Sequence, residues 1–156
     1  MKQNPAKFWM FFLLFFLAAC TQNNDKNASQ VLINNGEKII TVNVQIADDI
    51  DEMAKGLMFV EKLDENAGML FIFEEESYQT FWMKNTLIPL DMIFIDGGLK
   101  IVDIKNAVPC KDDPCSLYAS KKPARYVLEV NSGFTGKNSI REGNLISLKP
   151  KNQENQ

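Results

Sequence analysis

The strongest constraint on the fold is a clean period of two. Between Lys38 and Ile46, the residues Ile40, Val42, Val44 and Ile46 alternate with Thr41, Asn43 and Gln45. Successive side chains of a strand leave on opposite faces, so the pattern predicts a strand with one buried and one wet face. Val31-Leu32-Ile33 precedes it across Asn34-Asn35-Gly36-Glu37. Asn and Gly both tolerate positive φ, so the pair of runs predicts a hairpin.

Most of the remaining chain follows the same rule. Met69 to Phe73 is a short apolar run, followed by Glu74-Glu75-Glu76-Ser77, which reads as a charged turn. Tyr78 to Met83 is aromatic and strand-like, and Asn85-Thr86 interrupts it. Leu90 to Ile95 and Leu99 to Val108 flank Asp96-Gly97-Gly98, a second hairpin signal. Tyr126, Leu128 and Val130 alternate within Arg125 to Val130, and Leu145 to Leu148 follows the turn Arg141 to Asn144. The exception is Asp48 to Leu57, where Ile50, Met53, Ala54 and Leu57 recur at helical spacing. Asp49 and Glu52 stand three apart, as in a capping box. The expected fold is mainly β with one short helix: a single-domain β-sandwich or barrel.

The N-terminus has a different character. Lys2 and Lys7 are followed by twelve apolar residues, Phe8 to Ala19. A membrane span needs about 20, so the run has the length of a signal-peptide core. Leu17-Ala18-Ala19-Cys20 resembles the lipobox of bacterial lipoproteins, although an ordinary signal peptide with an incidental cysteine is the alternative. The resemblance implies cleavage before Cys20 and acylation of that cysteine, with the membrane as partner through a lipid anchor. In a Gram-negative host the resemblance further implies the outer membrane, facing the periplasm, because Thr21 stands where such lipoproteins often carry Asp for inner-membrane retention. The expected division is a signal peptide at 1–19, the lipidated cysteine and a polar tether at 20–30, a β-rich domain at 31–150, and a disordered tail at 151–156.

Removal of residues 1–19 leaves 137 residues, with 15 basic against 20 acidic groups. That acidic balance argues against a nucleic-acid partner. In an exported domain Cys110 and Cys115 fall where disulfides persist, and a disulfide closing their Pro-flanked loop is the leading reading. A redox couple or half of a metal site are the alternatives. Redox pairs more often stand two residues apart, and zinc wants further Cys or His ligands. The chain has no histidine, which removes His-dependent triads and His-based zinc sites. No catalytic residue, metal ligand or cofactor is assigned. The acidic clusters at 48–51 and 74–76 read as solvated charge.

Four stretches together resemble the domain of unknown function 192 family. They are Gly56-Leu57-Met58, Gly68 to Phe73, the block Phe81-Trp82-Met83-Lys84-Asn85-Thr86-Leu87-Ile88-Pro89-Leu90-Asp91 running on to Asp96, and Pro123 to Val130. The resemblance covers about residues 36–149. It implies a compact β-rich, jelly-roll or barrel-like fold and no established activity.

The candidate ligand-binding residues are Trp82, Lys84, Asn85, Asp91, Arg125 and Glu129. An aromatic plate beside amide, carboxylate and cationic groups suits a polar ligand such as a glycan. The bland alternative makes Trp82 core, Lys84–Asp91 a surface ion pair and Arg125–Glu129 a second pair. Three functions are therefore expected in turn: a non-catalytic envelope module binding a glycan or other polar envelope component, a lipoprotein that docks an envelope protein, and a hydrolase using Asp91 and Glu129.

Overall fold

The computed structural model describes residues 28–150. Cys20, the stretch expected to be a signal peptide, most of the expected tether and the expected tail at 151–156 lie outside the described residues. Nine strands and two short helices follow one another as β1 (Ala28–Asn34), β2 (Ile39–Ala47), α1 (Ile50–Lys55), β3 (Ala67–Ser77), β4 (Thr80–Trp82), β5 (Leu90–Ile95), β6 (Ile101–Ala107), β7 (Leu117–Ala119), β8 (Ala124–Asn131), α2 (Phe134–Lys137) and β9 (Leu145–Pro150). Seven strands form one sheet in the order β6-β5-β8-β3-β2-β1-β9, and β4 pairs with β7 in a separate ribbon. All pairs in the large sheet are antiparallel except β2 with β3. A parallel pair needs a crossover, and here it carries α1.

The large sheet curls so that its two ends meet at one corner. Lys100 bridges to Leu145, Ile101 N donates to Asn144 O and Ile146 N to Leu99 O, both at 2.9 Å. The expected single-domain β-barrel or sandwich is thus a half-barrel. Its concave face holds the inner core, which includes Val31, Ile33, Ile40, Val42, Leu70, Ile93, Leu128, Val130 and Phe134. The alternating residues Ile40, Val42, Val44 and Ile46 all face this core, as their period of two requires. The convex face carries a second cluster, with Met69, Phe71, Met83, Met92, Phe94 and Val127, roofed in part by the crossover and the small ribbon.

Local signals behaved as their chemistry dictates. Asn35 Oδ1 accepts from Glu37 N and Lys38 N in the first hairpin, with Gly36 at φ +94°. Asp49 caps α1 by accepting from Asp51 N and Glu52 N, while Glu52 reaches back to Asp48 N at 3.2 Å. Gly56 ends the helix at φ +48°, where an added Cβ would stand 3.2 Å from Phe71.

Four expectations need correction. Residues 28–30, placed in the tether, are the start of β1, because Gln30 pairs with Asn43 and Lys149. Glu74 to Ser77 is the end of β3 and not a turn. Ser77 still pairs with Ala124, and Glu76 accepts from Gly97 N. The described residues hold two helices rather than one, since Phe134 to Lys137 forms a single turn that buries Phe134 and Thr135. The α1 stripe is only half seated: Ile50 is 83% exposed, and Leu57, just past the helix, is what enters the core. Six residues make under two turns, too short to lay a whole stripe on the sheet.

Candidate functional site

The ribbon of β4 and β7 builds the most exposed part of the candidate site. Its register pairs Phe81 with Tyr118 and Trp82 with Leu117. Alternation sends Phe81 inward, where its ring meets Phe71 edge-on at 5.0 Å, and leaves Trp82 outward and 50% exposed. Trp82 is therefore not core. Lys84 Nζ stands 5.7 Å from the indole centroid and pairs with Asp113 at 3.2 Å. Asp113 belongs to the loop closed by the Cys110–Cys115 disulfide, whose Cα atoms are 5.4 Å apart. Cys110 N donates to Met83 O, tying that loop to the end of β4.

Beside this rim lies a cleft of about 600 Å³. Met83, Pro89, Val108 and Tyr118 give it apolar walls, and the disulfide loop closes one side with Cys110, Lys111, Asp112 and Pro114. Trp82 flanks the cleft and does not line it. Asn85 joins the group from the other side. It adopts φ +57°, its carbonyl accepts from Phe59 N at 2.9 Å, and Met58 bridges to Thr86. The Gly56-Leu57-Met58 stretch and the Trp82 to Thr86 stretch, distant in sequence, are thus in direct contact.

The other three candidates do not join them. Asp91 is fully buried. Its carboxylate accepts from Asn106 Nδ2 (2.6 Å), Gly133 N (3.1 Å), Thr135 N (2.9 Å) and Thr135 Oγ1 (2.6 Å). It holds the N-terminus of α2, whose own N-cap, Gly133, has no side chain to do so. Lys84 pairs with Asp113, so the Lys84–Asp91 ion pair of the bland alternative is not formed. Arg125 sits four residues from Glu129 on β8, about 13 Å along a strand, too far to pair. Its Nε is sealed without a partner among the described residues, and its guanidinium lies 5.7 Å from the Tyr126 ring.

Glu129 is 4% exposed on the convex face. Among the described residues no hydrogen bond or ion pair reaches its carboxyl. Burial alone pushes that carboxyl up from 4.5 to about 8, because desolvation disfavours the charged form. Asp91 shares its face of β5 with Ile93 of the inner core, whereas Glu129 shares its face of β8 with Val127 of the convex cluster. The two carboxylates expected for a hydrolase thus leave opposite sides of the sheet.

A third buried carboxylate, Asp103, behaves differently. Burial acts to raise it, but hydrogen bonds from Lys105 and from the Lys121 backbone and ammonium outweigh that and hold it below its usual range. These contacts tie the β7–β8 connection to β6.

Sequence reading did not single out Met83, Val108 and Tyr118 of the cleft, nor Asp113, which pairs with Lys84 at its rim. Asp113 carried one usable signal, its place between two cysteines. The β7 strand carried almost none, being three residues long.

Comparison with known proteins places this arrangement among relatives. UPF0127 protein TK1120 of Thermococcus kodakarensis is 31% identical over 112 residues, which span 69% of this chain and 65% of that protein. A UPF0127 protein of Thermococcus gammatolerans is 31% identical over 109 residues, spanning 67% of this chain and 65% of the relative. The match thus covers slightly under two thirds of these relatives' length. Among solved structures, a Sinorhizobium meliloti 1021 protein described as a candidate transcription regulator superposes with a TM-score of 0.72 at 32% identity, over 76% of this chain and 92% of that one. A protein of unknown function from Novosphingobium aromaticivorans gives 0.71 at 32% identity, over 76% and 83%. The DUF192 family, described as an uncharacterised ACR, matches residues 31–148, nearly all of the described half-barrel, and the chain belongs to that family.

Proposed function

We propose that this protein is a lipid-anchored envelope lipoprotein whose half-barrel acts as a non-catalytic binding module for a glycan or another polar envelope component. The observation that carries the reading is the half-exposed Trp82, with Lys84 held over it, at the rim of a cleft of about 600 Å³ walled by a disulfide loop. An indole face stacks against the apolar face of a sugar ring, while Lys84, Asn85 and the polar loop offer hydrogen bonds to hydroxyls. The Cys20 lipobox supports the envelope location, and the disulfide agrees with export. The absence of histidine and the opposed carboxylates favour binding over hydrolysis. An acidic chain gives no electrostatic footprint for nucleic acid, so the label on the Sinorhizobium protein is not carried over.

The test is a glycan array and a peptidoglycan pull-down with detergent-solubilised protein. Retention that disappears in Trp82→Ala supports the reading. No retention, or retention indifferent to that substitution, defeats it. The anchor is checked separately: labelled palmitate is expected in the wild type and not in Cys20→Ala.

A second reading, docking of an envelope protein, is favoured by one observation. Phe59, Trp82, Leu87, Val108 and Leu117 are all large, apolar and exposed, and the contacts of the cleft region bring them to one end of the fold. Cross-linking in intact cells that traps one specific protein, lost in Phe59→Ser and Leu117→Ser, would select it over the glycan.

A further inference from the structure

The convex face has a composition unlike the concave one. The described residues include five methionines, Met53, Met58, Met69, Met83 and Met92. Met69, Met83 and Met92 are buried in the convex cluster and Met53 packs against it. Met58 adjoins Leu57 of that cluster, and its sulfur lies 3.9 Å from Asn85 Nδ2. The inner core contains no methionine.

Glu129 sits in the middle of this set. The register across three neighbouring strands runs Met69, Glu129, Met92 on β3, β8 and β5. Neighbouring strands are about 4.8 Å apart, so the three side chains leave the sheet side by side on one face. Met83 is buried in the same cluster. Thioethers cannot donate a hydrogen bond, so the methionines leave the Glu129 carboxyl without compensation for its burial, which is costly. The carboxyl is still reachable. Arg125 Nε is the one sealed, unpartnered side-chain atom among the described residues, so the Glu129 oxygens keep a narrow contact with solvent.

A small soft cation answers both features. One carboxylate neutralises one positive charge, and flexible thioethers supply polarisable donors. Soft sulfur ligands suit Cu(I), zinc and iron–sulfur clusters; the last two take their sulfur from thiolates, which leaves Cu(I) for thioethers, whereas calcium and magnesium want six or more oxygens. The thiols at Cys110 and Cys115 are taken up in a disulfide, so the methionines are the available soft side chains of the domain. We infer that Met69, Met92 and Glu129, with Met83 as a further sulfur donor, form a binding site for a soft monovalent cation of the Cu(I) class. Met83 is shared with the wall of the cleft, but Met69, Met92 and Glu129 do not line it, so the site does not rest on the glycan reading.

The test uses detergent-solubilised protein with its disulfide intact. Ag(I), an air-stable substitute for Cu(I), is titrated first, and Cu(I) is then titrated anaerobically against a competing chelator. One equivalent is expected to bind. Binding should weaken by about tenfold or more in Glu129→Gln and in the Met69→Leu, Met92→Leu double variant, changes of the size seen when a metal's supporting groups are removed. Leucine conserves volume, so that variant should stay folded. The ¹³C-labelled methyl signals of Met69 and Met92 should shift on Ag(I) addition in the wild type. Failure of the wild type to bind, affinity unchanged in both variants, or unmoved methyl signals each overturn the site.

Discussion

Asp91→Ala removes the carboxylate that four donors share, and its cost can be built from where those donors end up. Asn106 and Gly133 are exposed, so their donors can turn to water and lose only the net value of a hydrogen bond to a charged group, about 1.5–3 kcal/mol at most. Thr135 is buried. Its amide and hydroxyl both donate to Asp91 Oδ2, and both would be left unmet in the interior, at about 1–3 kcal/mol each. Summing all four overcounts, because α2 is a single turn that can loosen. A loss of about 3–5 kcal/mol is expected, a large share of the 5–15 kcal/mol typical of a domain. The damage should be local as well as global, since α2 plugs the concave core with Phe134. The assay is urea unfolding, read with amide hydrogen exchange at Thr135. Asp91→Asn should fall between wild type and alanine, since it keeps one acceptor oxygen but turns an amide N–H₂ toward the same donors. A loss below about 1 kcal/mol for Asp91→Ala, comparable to a single ordinary hydrogen bond, or undiminished protection at Thr135, would refute the claim that this carboxylate holds the helix.

Glu129→Gln should change how stability depends on pH in metal-free protein. With the folded value raised from 4.5 to about 8, the folded state keeps a proton that the unfolded state gives up. The contribution of Glu129 is therefore fully present below pH 4.5, falls as pH rises through 8, and is flat above. At about 1.4 kcal/mol per pH unit the total is about 5 kcal/mol. The gap between variant and wild type should widen across that window, and a pH-independent gap would contradict it. Replacing Cys110 and Cys115 by serine reopens a short loop and should cost about 2 kcal/mol in the chain-entropy account, measured by thermal unfolding with and without reductant. Gly68→Ala should destabilise by about 1–3 kcal/mol, because its Cβ would stand 2.5 Å from the Glu129 carbonyl oxygen; expression and urea midpoint report it. Lys84→Ala should cost at most about 1 kcal/mol of stability, since its pair with Asp113 is exposed.

What could be read from sequence was local. The Ile40 to Ile46 alternation named its own buried face, and Asn35-Gly36 and Asp96 to Gly98 named their turns. Asp49 named its cap, and the Gly56, Gly68 and Trp82 stretches named the family. Each of these rests on dihedral preference, side-chain period or a short motif, which are properties of a few adjacent residues. Charge alone could not separate the exposed end of β3 from a turn, because Glu74 to Ser77 would be solvated either way.

Tertiary structure decided what depends on partners far away in the chain. Sequence placed Asp91 and Glu129 on strands, but only the order β5-β8-β3 set them on opposite faces, one fully hydrogen-bonded and the other bare among methionines. Lys84 met Asp113 and not Asp91 because a disulfide loop 29 residues away folds over the end of β4. The period of two fixes which side chains share a face of one strand. Which face becomes core, and what lies opposite each residue, is set by non-local pairing and burial, and no pattern within one strand encodes that.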